Sequence, residues 1–366
     1  MGQVLGLGIS HYPPLGGRDA DMANILKGRM RDPDIPADVK DPANWPAAMR
    51  EEWGDDEGTA AAARHRAAMR AGLERVRAAL DDFRPDFVLM WGDDQYENFQ
   101  DDVIPAFAVL AYGDMTLYPW KHAGASAMVG AARKDEWGGG KPNVWNEGPE
   151  TAFQVRGHPE AARHVASELL RSDFDVAYAY RPLHHPGLAH AFLNAVLYLD
   201  YDRQGFAHPV VPVSINCYGR RIVSHRGFIT RWADRYRPLD PPSPSPRRCF
   251  DFGAAIGRIA RESPWRVALL ASSSWSHAFL VDKTYRMQPD VESDRMLYRA
   301  MVAGDYGTWR GYTLDRIEDA GQQENLNWFA LVGAMSALGQ RVAWSDFVET
   351  RVFNSNKVAA IFEPRA

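Results

Sequence analysis

Residues 88–99, VLMWGDDQYENF, run from four apolar side chains through Gly92 into Asp93, Asp94, Gln95, Tyr96 and Glu97. Carboxylates gathered like this can hold a divalent cation or carry protons, although an acidic turn alone is usually just solvated. What decides between these readings is what else ends in the same place. In an open α/β sheet, ligands bind beyond the carboxyl ends of the strands. Each strand-like run in this chain can be followed to its last residue. His11 follows GLGIS, Asp93 and Asp94 follow VLMW, His184 and His185 come shortly after VAYAY, Asn216 follows VPVSI, and Ser276-His277 follow LLASSS. A single histidine after a strand is ordinarily a hydrogen-bonded structural residue. Three such places together with a double carboxylate point to one shared metal or proton-transfer centre.

A further carboxylate sits in a late helical segment, ENLNWFALVGAM. On a helical wheel Glu324, Trp328, Leu331 and Met335 form one stripe, while Leu326, Phe329 and Ala330 lie opposite, so the segment is apolar nearly all round. A buried carboxylate must be paired, hydrogen-bonded or protonated. A metal dication is the partner expected for Glu324, against the alternative of a first-turn glutamate that caps its own helix and faces water.

The elements that must position these groups alternate between strand and helix. VLGLGIS (4–10), RPDFVLMW (84–91), FDVAYAY, HPVVPVSIN and WRVALLASSS have strand length and are apolar or β-branched. TAAAARHRAAMRAGLERVRAALDDF (59–83), PEAARHVASELLRS from Pro159 and QQENLNWFALVGAMSALG have helical patterns, the last ending at Gly339. Strands apolar on both faces and separated by helices predict an α/β fold, with a central mostly parallel or mixed sheet covered by helices on both sides. The expected organisation is a single catalytic domain over 1–366 with two long insertions, about 13–58 and 113–157. Loops of that length are commonly lids or substrate-contacting elements. The stretch DPPSPSPR (240–247) reads as a plain surface loop.

Composition excludes several classes. A net charge of −5 and short basic runs provide no footprint for a nucleic-acid backbone. The two cysteines, Cys217 and Cys249, have no near neighbour to form a zinc-ligand pair and fit a reducing compartment. The start MGQVLGLGIS lacks the pattern of a secretory signal, and no run approaches 18 apolar residues. The expectation is a cytoplasmic protein with no membrane partner.

Seven blocks, in order, resemble the class III extradiol ring-cleavage dioxygenases, the superfamily of the protocatechuate 4,5-dioxygenase catalytic subunit. They are GISHYPPL, PDFVLMWGDDQYENF leading to IPAFAV, GHPEAARHVASELL, HHPGLAHAF, HPVVPVSIN, ASSSWSHAF and AGQQENLNWFALVGAM, and they span residues 4 to about 339. The resemblance implies non-haem Fe(II) held by two histidines and a glutamate, with a further histidine as acid/base. Matched block by block, it makes His11 and Glu324 metal ligands, His184 or His185 the acid/base, and His277 a second active-site histidine. It implies a small aromatic diol and dioxygen as substrates, and a homo-oligomer, with a small accessory subunit as an open addition.

One departure stands out. Where the family has Asn-Asp-His after the second strand, this chain has Gly92-Asp93-Asp94, which puts Asp94 in a histidine ligand's place. One histidine and two carboxylates neutralise a dication and suit harder, oxygen-seeking metals, so Mn(II) or Mg(II) joins Fe(II) as a candidate. Asp93, Gln95 or a histidine from an insertion, such as His122, remain open as the donor. In the implied reaction His184 or His185 takes and returns a phenolic proton, and His277 bonds developing negative charge. Tyr96, Trp120, Trp145 and Trp275 are candidates for stacking on an aromatic ring. Two other readings stay open: a metal-dependent hydrolase, lyase or decarboxylase on the same fold, and a homologue that binds without turnover.

Overall fold

A computed structural model describes residues 2–121, 143–227 and 231–364. The described residues form ten strands: β1 (Gln3–Ile9), β2 (Phe87–Asp93), β3 (Phe107–Leu110), β4 (Met115–Leu117), β5 (Phe153–Val155), β6 (Ala177–Ala179), β7 (Val210–Ile215), β8 (Arg266–Ser272), β9 (Gln340–Val348) and β10 (Lys357–Pro364). Eight of them make one sheet in the order β6-β3-β7-β2-β8-β1-β10-β9, while β4 and β5 pair separately. The central run β7-β2-β8-β1 is parallel throughout. Antiparallel pairs join β3 to β7, β10 to β1 and β9 to β10. The sheet is therefore mixed, with a parallel centre, as its apolar strands imply.

Both faces are covered. Alternate residues of β2 divide between two cores: Phe87, Leu89 and Trp91 enter one, and Val88 and Met90 the other. Six helices matter for the site: α1 (Thr59–Phe83), α2 (Pro159–Arg171), α3 (His190–Leu199), α4 (Pro246–Glu262), α5 (Val291–Ala303) and α6 (Leu326–Leu338). Buried residues of α1 and α3 join the core containing Val88, and those of α2, α4, α5 and α6 join the core containing Phe87.

Two close backbone approaches hold the helices that carry site residues. A Cβ on Gly253 of α4 would lie 1.8 Å from the Ala330 carbonyl oxygen of α6, and one on Gly333 of α6 would lie 2.0 Å from the Phe250 carbonyl oxygen. Only glycine permits this crossing, which pins α6 and the turn entering it. At the end of β2, a Cβ on Gly92 would meet the Phe192 ring at 2.8 Å, so glycine there lets the first turn of α3 lie against the strand.

Three features differ from the sequence expectation. The helical segment expected to begin before Glu324 starts at Leu326, and Glu324 itself lies in a 3-10 turn, Gln323–Asn325, leading into it. The insertion at 13–58 is built of short helical turns with buried Leu15, Trp45, Met49 and Trp53. The antiparallel pair β9–β10 was not anticipated. In the second insertion, residues 122–142, including His122, lie outside the described residues. No helix among the described residues is long and apolar enough to cross a membrane.

Candidate metal centre

Because β1, β2 and β8 run parallel and adjacent, their carboxyl ends deliver His11, Asp93 and the segment leading to His277 to one region. Ser273 N–H donates to the Ile9 carbonyl at 3.1 Å, and Val358 N–H donates to Ser10 Oγ at 3.0 Å, fastening the ends of β8 and β10 to that of β1. Nδ1 of His11 lies 2.9 Å from the Ser272 carbonyl, which can only accept, so Nδ1 carries the proton. The other nitrogen, Nε2, is left as a lone-pair donor 3.7 Å from Glu324 Oε2.

The ligand-capable atoms of His11, Asp93 and His190, all buried, lie within 4.8 Å of one another. The His11 and His190 rings meet edge to face with centroids 5.0 Å apart. Both carboxylate oxygens of Asp93, and Oε2 of Glu324, are buried with no hydrogen-bond partner among the described residues. Orphaned anionic oxygens facing a bare imidazole nitrogen are what a dication would satisfy, so these residues fit a metal ion. Burial pushes Asp93 up to about 6, with His190 opposing and Glu97 reinforcing the shift. Burial, reinforced by Asp93, likewise raises Glu324 well above the carboxylate range.

The two oxygens of Glu324 have different surroundings. Oε1 accepts from the Tyr218 hydroxyl and lies 3.2 Å from His277 Nε2. Oε2 is thereby the oxygen left facing His11. Nδ1 of His277 is buried with no partner among the described residues, and burial, helped by the charge of Lys357, pushes its pKa down to about 3.

Asp94 is placed differently from the expectation. Its Oδ1 accepts from the N–H groups of Glu97 at 2.9 Å and Phe99 at 3.2 Å, and its Oδ2 from that of Asn98 at 2.9 Å. Both oxygens are engaged in shaping the turn after β2, and the carboxylate beside His11 belongs to Asp93. Burial and Glu97 push Asp94 up to about 7 against those three amides. Gln95 donates to the Gly227 carbonyl, while its Oε1 is buried with no partner among the described residues.

Neither His184 nor His185 is among the converging ligand atoms, although His185 is near enough to act on the charge of Glu97. β6 pairs parallel with β3, which is itself antiparallel to β7, so the strand before them runs against the central strands. The chain must double back, and the histidine that arrives at the cluster is His190, the first residue of α3. His184 is exposed and lies 2.9 Å from Asp102, and His185 accepts from Gly187 N–H at 3.2 Å. His190 pairs through Nδ1 with Glu97 Oε2 at 2.8 Å. Its pKa is raised to about 10, because Glu97, Asp93 and Glu324 outweigh its burial. His190 and Tyr218 escaped the sequence reading, whereas Glu97 belongs to the acidic cluster noted after β2. A signal for the first was present: a histidine just ahead of the apolar run AFLNAVLYL.

Of the aromatic candidates, Trp275 is fully buried among Trp309, Trp328, Tyr298 and Phe347 and is a core residue. Tyr96 bonds Asp101 at 2.6 Å. Trp145 packs between Trp120, Tyr198 and Tyr201, with the Arg203 guanidinium 3.8 Å from its ring centre.

Residues 239–360 match the family described as the catalytic LigB subunit of aromatic ring-opening dioxygenase, a span that holds His277 and Glu324. Over that third of its length the chain is similar to the catalytic subunits of aromatic ring-opening dioxygenases. A 2,3-dihydroxyphenylpropionate/2,3-dihydroxicinnamic acid 1,2-dioxygenase of Burkholderia vietnamiensis is 30% identical over 57% of this chain and 49% of its own length. A protein of the same name from Photorhabdus laumondii is 24% identical over 61% of this chain and 53% of its own. The chain thus spans about half the length of these curated relatives. A crystal structure of the uncharacterized protein JW3007 from Escherichia coli K12 aligns with a TM-score of 0.45 and 13% identity, covering 80% of this chain and 91% of that one.

Proposed function

We propose that this protein is a metal-dependent extradiol-type dioxygenase acting on a catechol-like aromatic diol, with His11, Asp93 and Glu324 as the metal ligands. The observation that carries this reading is the set of buried oxygens of Asp93 and Glu324 that find no hydrogen-bond partner among the described residues, beside Nε2 of His11. Charge balance supports the division of roles. A dication offsets Asp93 and Glu324, and Glu97 offsets a protonated His190, so the buried centre is neutral overall.

A bound metal would supply the orientation and charge stabilisation that bring a diol and dioxygen into reaction. His190, held protonated by Glu97 through Nδ1, presents Nε2 to the cluster and is placed to donate a proton to a substrate oxygen and take it back. Tyr218 and His277 hold Oε1 of Glu324 and so direct Oε2 inward. The ion proposed is Fe(II), as the similarity implies, with Mn(II) the competitor favoured by a second carboxylate.

The test is anaerobic purification, metal analysis, and oxygen uptake with a panel of catechols. Uptake with appearance of a ring-opened product supports the proposal. Bound metal without uptake would favour a hydrolase, lyase or decarboxylase, and the absence of both metal and turnover would favour a binding homologue.

A further inference from the structure

Asp294, on α5, is fully buried and contacts none of the residues assigned to the metal or the proton. All the hydrogen bonds of its carboxylate are donated to it. Ser276 N–H meets Oδ1 and Oδ2 at 3.1 and 2.9 Å, Gln322 Nε2 meets Oδ1 at 2.7 Å, and Asn356 Nδ2 meets Oδ2 at 2.7 Å.

Those donors come from three separate stretches of chain. Ser276 immediately precedes His277, Gln322 lies two residues before Glu324, and Asn356 introduces β10. Secondary bonds tie the stretches to each other. Ser276 Oγ donates to the Ala320 carbonyl at 2.5 Å, His277 N–H to the Gly321 carbonyl at 2.7 Å, and Trp275 N–H to the Asn356 carbonyl at 3.0 Å. The amides are held in one orientation from their far sides, since Asn356 Oδ1 accepts from Thr350 N–H at 2.9 Å and Gln322 Oε1 from Tyr312 O–H at 3.0 Å.

A carboxylate buried among neutral donors is costly to maintain, and packing alone does not require one. Its two oxygens accept three converging donors, whereas an asparagine of the same shape has one acceptor oxygen and would turn its own N–H2 against a donor. We propose that Asp294 is a positioning residue that sets His277 and the Glu324 turn in register with His11. This rests on the reading of Glu324 as a metal ligand. Partners that orient ligands in this way are commonly worth about 10–100-fold in metal affinity.

The test uses Co(II) as a coloured probe on the metal-free full chain, comparing wild type with Asp294→Asn and with Leu297→Ala, a cavity variant on the same helix. Asp294→Asn is expected to weaken Co(II) binding about tenfold or more and to change its visible spectrum, while Leu297→Ala loses stability but keeps affinity within about twofold. Asn356→Ala, which removes one donor, carries the same comparison at smaller amplitude should Asp294→Asn not fold. Unchanged affinity and spectrum in the Asp294 or Asn356 variant, or an equal loss in Leu297→Ala, overturns the positioning role while the metal centre stands. A wild type that binds no Co(II) overturns the metal centre, and the positioning role with it.

Discussion

Glu97 grips His190 with both oxygens: Oε2 lies 2.8 Å from the ring Nδ1, and Oε1 accepts the backbone N–H of the same residue at 2.9 Å. The two bonds fix both the position of the α3 amino terminus and the rotation of the imidazole. Glu97→Gln preserves the shape but replaces an anion with an amide, removing the charge that favours the imidazolium. Turnover should fall about 10–100-fold, with metal content near that of wild type, as measured by oxygen uptake and metal analysis on one preparation. Unchanged turnover would remove His190 from the proton-transfer role.

The two neighbouring aspartates should behave oppositely. Asp93→Ala takes away a carboxylate that faces His11 and should abolish metal binding. Asp94→Ala should keep the metal and loosen the turn at 97–99, lowering the melting temperature by about 1–2 °C for each kcal/mol lost. Metal titration and thermal melts on both variants separate the outcomes. Retention of metal by Asp93→Ala and its loss from Asp94→Ala would reverse the assignment.

Tyr218 and His277 act on the same oxygen of Glu324, so their effects should not add. Tyr218→Phe and His277→Ala are each expected to weaken metal binding about tenfold. The double variant should lose clearly less than the product of the two, because once one support is gone Glu324 is already free to turn. A double-mutant cycle on metal affinity measures this coupling, and strict additivity would mean that the two groups do not share Glu324.

The central sheet was legible because its parallel strands are apolar on both faces, so each ends visibly where polar residues begin. This is how β1, β2 and β8 led to His11, the Asp93-Asp94 doublet and His277. The choice within the doublet was not legible, since it depends on the turn that follows, where three amides claim Asp94. The displacement of His184 and His185 by His190 has a similar origin. β6 is a three-residue edge strand, and nothing in so short a run encodes its direction relative to β7. Tyr218 was hidden because its role depends on Glu324, which is distant in sequence.

Lys357 gives the pH dependence of stability a definite sign. Its ammonium is buried 3.6 Å from the centre of the Tyr12 ring, donating to the Phe353 carbonyl at 2.8 Å and to that of Ser355. Burial lowers its pKa well below the ordinary lysine range, and Glu52 only partly opposes this. The unfolded chain keeps that proton up to about pH 10.4. Between the folded pKa and that limit the unfolded state binds more protons, so stability rises with pH through this window and the contribution levels off above it. Lys357→Met keeps the length of the side chain without the charge and should flatten the rise. Urea melts of wild type and variant at intervals up to pH 9.5, below the range where unfolded tyrosines ionise, measure the difference. Parallel curves for the two proteins would show that Lys357 keeps its proton in the folded state, held by the two carbonyls and the Tyr12 ring.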